Sequence, residues 1–387
     1  MLYNFSLVFI LLTLFVIVAI DLIPQFYTWQ SRIHIGRIQD PNLWSTKVLQ
    51  QSLQWLKKTP TIKLTDTKRL IIIDILKGNY KRNAIQHWQQ AALILGLTEC
   101  FKKTKNRKCQ KEIDAFLKST FQNGDWRVQP KEIDGVILAY SVLNIDWINH
   151  QEYKRVYDRA YQLILDLVGT DGTVAYRNYT PEYRFVDTIG FICPFLVLYG
   201  LKFDKPEAIN LSVKQITTFN ENGLFPNTNI PCHTYNVTTK FPVGLFGWGR
   251  GLGWYAIGLM DAWRILPEEN PNKKVLEKSV VAFAKMALQF QNDNGSWSWI
   301  VLDTTSRMDS STTATLAWFF ANAASLDSIS SDCIFAKVKA LHYLKSVTRR
   351  DGAIDFSQGD TKAIGVHSTE FDILPFTQGF CLRTINL

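Results

Sequence analysis

The 387-residue chain has no Cys-x-x-Cys pair, and its six cysteines (100, 109, 193, 232, 333 and 381) share no metal-ligand spacing. That excludes a fold stapled by metal or by a disulfide framework. Cys100 and Cys109 could pair around a basic loop, although free thiols are the expectation. Apolar–polar alternation is scarce, which argues against a sheet-based architecture. Acidic residues are the minority, 34 against 43 Lys and Arg, for a formal net charge of +9. The basic residues are dispersed apart from one run, Lys102, Lys103, Lys105, Arg107, Lys108 and Lys111. Such a run reads first as a solvated helix end and loop, and second as a contact for anionic lipid or an acidic polymer. No nucleic-acid partner is expected.

Apolar and aromatic residues are plentiful. Hydrophobic residues make up 47% of the chain and aromatics 13%, with 12 Trp, so a large core can form. Tryptophan bunched near Gly and Arg also suits a sugar-binding cleft. From Leu2 to Ile20 there is no charge, and only Asn4, Ser6 and Thr13 interrupt the apolar run. At 1.5 Å per residue this gives about 28 Å of helix, against roughly 30 Å of hydrocarbon core. The run stops at Asp21, with Pro24 following. No Lys or Arg precedes it and no small-x-small site follows it, so an uncleaved single-pass anchor is expected over residues 1–24, then a linker over 25–39. Arg32 and Arg37 on the C-terminal flank lean towards a cytoplasmic globular part, and the opposite orientation stays open.

Residues 40–387 read as one domain of alternating helices and turns. Amphipathic stretches include 44–57, 84–97, 131–143, 153–167, 274–290, 311–326 and 333–347. Gly-containing turns recur at Gly78, Gly124, Gly172, Gly223, Gly295 and Gly352, separated by 46, 48, 51, 72 and 57 residues. Each interval holds two helices, and Asn-Gly and Asp-Gly turns favour short rim hairpins. Six such units predict an all-α fold, an (α/α)6 barrel or six-hairpin toroid, preceded by a transmembrane helix. An open helical solenoid has similar periods, but the uneven steps favour a closed enzyme barrel.

Four constellations carry candidate chemistry. The run from Gly247 to Tyr255 holds four glycines, Trp248, Arg250 and Trp254. It is expected to form a loop passing close to a ligand, with Trp faces for a sugar ring and an Arg fork for a carboxylate. No Lys-Ser/Thr follows, so it is not a phosphate loop. Asp187 is a lone carboxylate before an apolar stretch containing Pro194. It reads equally as a helix N-cap and as a general acid whose pKa is raised by burial. Asp134 opens another apolar helix in the same two ways. Asp309 reads as an N-cap, with Ser310 to Thr313 as exposed hydroxyls near a cleft in the bolder version. Gln378-Gly379-Phe380 is expected to bring a glycine to the barrel mouth. His233 lies in a Pro- and Asn-rich loop, where a structural or solvated role is the ordinary one.

Val186-Asp187-Thr188 with Pro194-Phe195-Leu196, then Trp248 to Trp254, then Asp309 to Ala314 and Gln378 to Phe380, together resemble the unsaturated glucuronyl and rhamnogalacturonyl hydrolases, glycoside hydrolase families 88 and 105. The resemblance spans about residues 40–387 and implies an (α/α)6 barrel with no metal or organic cofactor. By that likeness Asp187 protonates C4 of a terminal 4,5-unsaturated uronic acid on an acidic oligo- or polysaccharide, and Asp134 assists. Trp248, Arg250 and Trp254 then line the sugar site, and His233 is a further substrate-binding candidate. The family's usual His after a Gly-Leu-Phe/Met stretch is replaced here by Pro226 and Asn227, with His233 further on. Two other readings are an inverting glycosidase using Asp134 and Asp187 on a saturated glycan, and a non-catalytic glycan-binding barrel in polysaccharide assembly.

Overall fold

A computed structural model describes residues 2–80, 83–303 and 305–387. Residue 1 of the expected anchor lies outside them. The described residues are mostly helical, in fourteen helices: α1 (Leu2–Arg32), α2 (Pro41–Lys57), α3 (Ile71–Leu76), α4 (Asn83–Thr104), α5 (Arg107–Thr120), α6 (Val136–Leu143), α7 (Lys154–Leu165), α8 (Val186–Lys202), α9 (Pro206–Asn222), α10 (Gly249–Ile265), α11 (Pro271–Leu288), α12 (Ser310–Ala323), α13 (Ser330–Ser346) and α14 (Pro375–Ile385).

Burial sorts them into two sets. In α5 the buried residues are Cys109, Ile113, Phe116 and Leu117, and in α7 Val156, Tyr157, Ala160 and Ile164. Each is a single stripe at the three-and-four spacing of an amphipathic helix, with charge on the other side. By contrast α6 is buried at every position, and α8, α10 and α12 nearly so. A helix apolar all round must lie inside. Accordingly α4, α6, α8, α10, α12 and α14 pack each against the next, and α14 returns to α4. The one-sided helices α2, α5, α7, α9, α11 and α13 lie outside them.

Close approach of the inner helices explains several glycines. A Cβ on Gly379 would strike the backbone of Ala92 in α4, and one on Gly96 would strike the carbonyl of Gly379. Gly379 therefore sits in the α4–α14 contact and not at a mouth. The expected glycine loop is also corrected. Only Gly247, at φ +70°, is outside the helix, while Gly249, Gly251 and Gly253 form the first turns of α10. The helical cost of these glycines is offset by packing, since Gly253 abuts Thr315 of α12 and Gly251 abuts Val186 of α8.

Five of the six turn glycines have positive φ, and Gly223 does not. Small hairpins do follow the outer helices: β1 (Phe121–Gln122) pairs with β2 (Asp125–Trp126), and β6 (Ser357–Gln358) with β7 (Phe371–Asp372). A three-stranded antiparallel sheet of β3 (Tyr183–Phe185), β4 (Cys232–Asn236) and β5 (Pro242–Phe246) was not foreseen. It lifts His233 out of the expected loop and pairs Phe185 with Thr234. All six cysteines are buried and free.

The N-terminal helix passes Pro24 without ending, so residues 25–32 of the expected linker are helix. It is long and apolar enough to cross a membrane, and none of its most apolar window is buried. A signal sequence has the same length and composition.

Replacing Gly379 by Val should lower stability by about 1–3 kcal/mol, because an overpacked helix contact forces the backbones apart. A denaturant midpoint equal to the parent's would show that α4 and α14 leave room for a side chain.

Candidate active site

Several connections from an outer helix to the next inner helix bring residues to one cavity. Asp134 stands in a short 3-10 turn (Ile133–Gly135) just before α6, Asp187 in the first turn of α8, and Arg250 in the first turn of α10. These three line one cavity of about 590 Å³ with Trp88, Tyr176, Arg177, Phe185, Phe191, His233, Trp248, Trp254 and Asp360. A larger depression of about 720 Å³ lies between the Asn227–Ile230 loop and α11, but its only carboxylate is Glu277. The smaller cavity is therefore the candidate site.

Neither Asp187 nor Asp134 caps a helix. The N-cap position of α8 is Phe185, and that of α6 is Gly135. Asp187 is 9% exposed, and its Oδ2 has no hydrogen-bond partner among the described residues. Burial raises its pKa to about 7, with Asp134 and Asp360 adding to the rise and Arg250 opposing it. Asp134 has the opposite surroundings. It accepts a hydrogen bond from Tyr176 Oη at 2.8 Å and one from Arg177 Nη2 at 2.6 Å. Asp187 thus keeps one carboxyl oxygen without a hydrogen bond while Asp134 accepts two from side chains.

His233 Nε2 lies 3.8 Å from Asp187 Oδ2. Burial, then His367 and Arg250, lower its pKa to about 3, so the ring is neutral. Gly365 N donates to Nδ1 at 3.5 Å, which leaves the ring hydrogen on Nε2, facing Asp187. The ring packs tilted against Trp248 at 4.9 Å between centroids, and Trp248 also meets His367 at 4.8 Å.

The Arg250 fork is not free. Its Nη1 and Nη2 donate to the carbonyls of Gln358 and Gly359 at 2.5 and 2.6 Å. Trp248 Nε1 donates to Gln358 Oε1, and Asp309 Oδ1 accepts from Gln358 N. Asp309 is indeed the N-cap of α12, bonded to the N–H groups of Ser311 and Thr312. The hydroxyls of Ser310 to Thr313 are buried and not exposed beside a cleft. The Asp309–Gln358 link thus fixes the strand that presents Asp360, whose pKa burial raises to about 6. Trp254 packs against Phe191, Phe376 and Trp88, so its indole forms floor more than platform. Among the described residues no three of His, Cys, Asp and Glu converge as metal ligands.

The profile of Glycosyl Hydrolase Family 88 matches residues 65–382. The chain belongs to that family. It is 19% identical over 255 residues to the unsaturated rhamnogalacturonyl hydrolase YesR of Bacillus subtilis, covering 64% of this chain and 73% of that protein. Among solved structures, a possible member of the GH105 family from Klebsiella pneumoniae superposes with a TM-score of 0.76 at 15% identity, over 90% of this chain and 93% of that one. The unsaturated glucuronyl hydrolase of Bacillus sp. GL1 gives 0.65 at 16% identity, over 92% and 96%. At these identities the two superpositions speak for the shared fold.

Trp88, Tyr176, Arg177 and Asp360 are cavity residues that the sequence reading missed. Tyr176, Arg177 and Asp360 each follow a turn glycine and precede an inner helix, which was the available signal, while Trp88 lies in the second turn of α4.

Because folding raises the Asp187 pKa, the folded state holds this proton more tightly than the unfolded chain does. Its contribution to stability is complete below about pH 4 and is lost as pH rises through about 7. Asp187→Asn should therefore flatten the dependence of the denaturation midpoint on pH across that window. Parallel curves for the two proteins would contradict the burial of this acid.

Proposed function

We propose that this glycoside hydrolase releases a terminal 4,5-unsaturated uronic acid from an acidic oligo- or polysaccharide, with Asp187 as the acid. The proposed scaffold is an (α/α)6 barrel formed by residues 40–387, which the cyclic packing of six inner helices supports. A membrane anchor over residues 2–20 completes the reading, supported by the exposed apolar helix α1.

The support at the site is the contrast between Asp187 and Asp134, two of the carboxyl groups that line the cavity. An acid for this reaction must hold a proton near neutral pH, and burial gives Asp187 a pKa of about 7. The C4=C5 bond of the substrate is a vinyl ether, because the ring oxygen is attached to C5. Asp187 gives its proton to C4, the double-bond pair forms the C4–H bond, and the positive charge at C5 is shared with the ring oxygen. Water adds at C5 and returns a proton to the Asp187 carboxylate. The hemiketal opens to a C5 ketone, and the hemiacetal left at C1 expels the neighbouring sugar.

The remaining groups position the substrate in this proposal. Asp134, held by Tyr176 and Arg177, accepts hydrogen bonds from sugar hydroxyls while its geometry stays fixed. Arg250 supplies positive charge facing the uronate while bracing residues 358 and 359. Trp248 and Trp254 give an apolar lining, and His233 directs its ring hydrogen at Asp187.

Incubation with lyase-generated unsaturated oligosaccharides should bleach the ultraviolet absorbance of the C4=C5 bond. Asp187→Asn should slow that bleaching by roughly 10²–10⁴-fold, the usual worth of a positioned acid. The rate should also fall as pH rises through about 7, where Asp187 loses its proton. Absorbance that persists with every uronate type tested would defeat the proposal.

A further inference from the structure

The last third of α1 does not hang from the domain as a tether. Asp21 accepts hydrogen bonds from Leu70 N at 2.7 Å and Ile71 N at 2.9 Å, and Gln25 Nε2 donates to Lys68 O at 3.0 Å. Arg32 donates to both carboxylate oxygens of Asp355 and to Phe371 O. Positions 21, 25 and 32 lie on one helix face, and Ile17, Ile20, Asp21, Thr28 and Arg32 are half-buried along it. The opposite face carries exposed Leu22, Ile23, Phe26, Tyr27 and Trp29.

Beside this face lies α3, whose outward residues are unusually apolar. Leu76 is 82% exposed, and Leu70, Ile73 and Ile75 are also exposed. The α1–α3 contact starts one residue beyond the uncharged run from Leu2 to Ile20. Whatever surrounds the end of that run therefore meets α3 too, and an apolar surface of this kind seats against protein or lipid.

We infer that α3 and the exposed face of α1 seat in the headgroup region of a lipid bilayer, with Phe26, Tyr27 and Trp29 as the interfacial aromatics. This rests on the anchor reading above and adds a second contact, made by the domain itself. It also places the active-site wall. Leu64, just ahead of α3, lines the cavity, and Asp66 accepts from Lys362 Nζ and Ser368 Oγ at 2.8 and 2.6 Å. Lys68 pairs with Glu370 at 2.6 Å. Residues 360–364 form the facing wall of the same cavity. The cleft is thus held beside the membrane surface, where it would meet glycan close to the lipid.

The full chain in phosphatidylethanolamine–phosphatidylglycerol vesicles tests this. Its native cysteines are all buried, so an exposed spin label can be attached selectively at Leu12→Cys, Leu76→Cys or Glu269→Cys. Ile73→Cys is a second position on α3. Labels at 12 and at 76 or 73 should collide more with oxygen than with a nickel chelate, and the label at 269, beyond the far end of α10, should do the reverse. A label at 12 in lipid with 76 and 73 in water overturns the seat and leaves the anchor. A label at 12 in water overturns the anchor and the seat with it.

Discussion

Desolvation of one carboxyl group governs the arrangement of the whole site. Asp187 sits in the first turn of a helix buried on nearly every side, with Oδ2 unpaired. The remaining groups in the cavity keep that state from collapsing. A protonated His233 would pair with the carboxylate and draw off its proton, but burial beside Arg250 and His367 keeps the ring neutral. Arg250 would do the same if its fork reached Asp187, but two backbone carbonyls occupy it. Arg177, a further cation lining the cavity, is taken by Asp134, and Lys362 by Asp66. The cavity thus holds cations close to an acid without letting any of them bond to it.

That balance depends on parts that never touch the cavity. Asp309 caps α12 and also accepts from Gln358 N, and Gln358 in turn holds Trp248. A cap carboxylate that serves two elements explains why Asp309 is wholly buried in a hydroxyl-rich turn. Asp355, two residues before β6, receives both Arg349 and Arg32, so the N-terminal helix is tied to the same segment.

Much of this was legible in the sequence where one physical rule acted alone. The helical stretches followed from spacing of apolar residues, and five turn glycines have the positive φ that their Asn-Gly or Asp-Gly context implies. The glycine run of α10 was misread because helix propensity and interhelical packing pull in opposite directions there, and only the facing residues, Thr315 and Val186, decide between them. His233 was assigned to a loop because a five-residue strand with a bulge leaves no alternation to detect. Tyr176 and Asp360 carry no signal beyond their place after a turn glycine. Their common trait is topological: both lie in connections from an outer helix to the next inner helix.

The continuity of α1 through Pro24 has a mechanical consequence. A helix bonded to the globular part at Asp21, Gln25 and Arg32 has no swivel between its apolar run and the domain. The two turn as a single body. In any bilayer that holds the apolar run, a change in thickness that tilts the helix tips the cleft by the same angle. For a membrane-held chain, the direction in which the cleft opens would then depend on the lipid as well as on the protein.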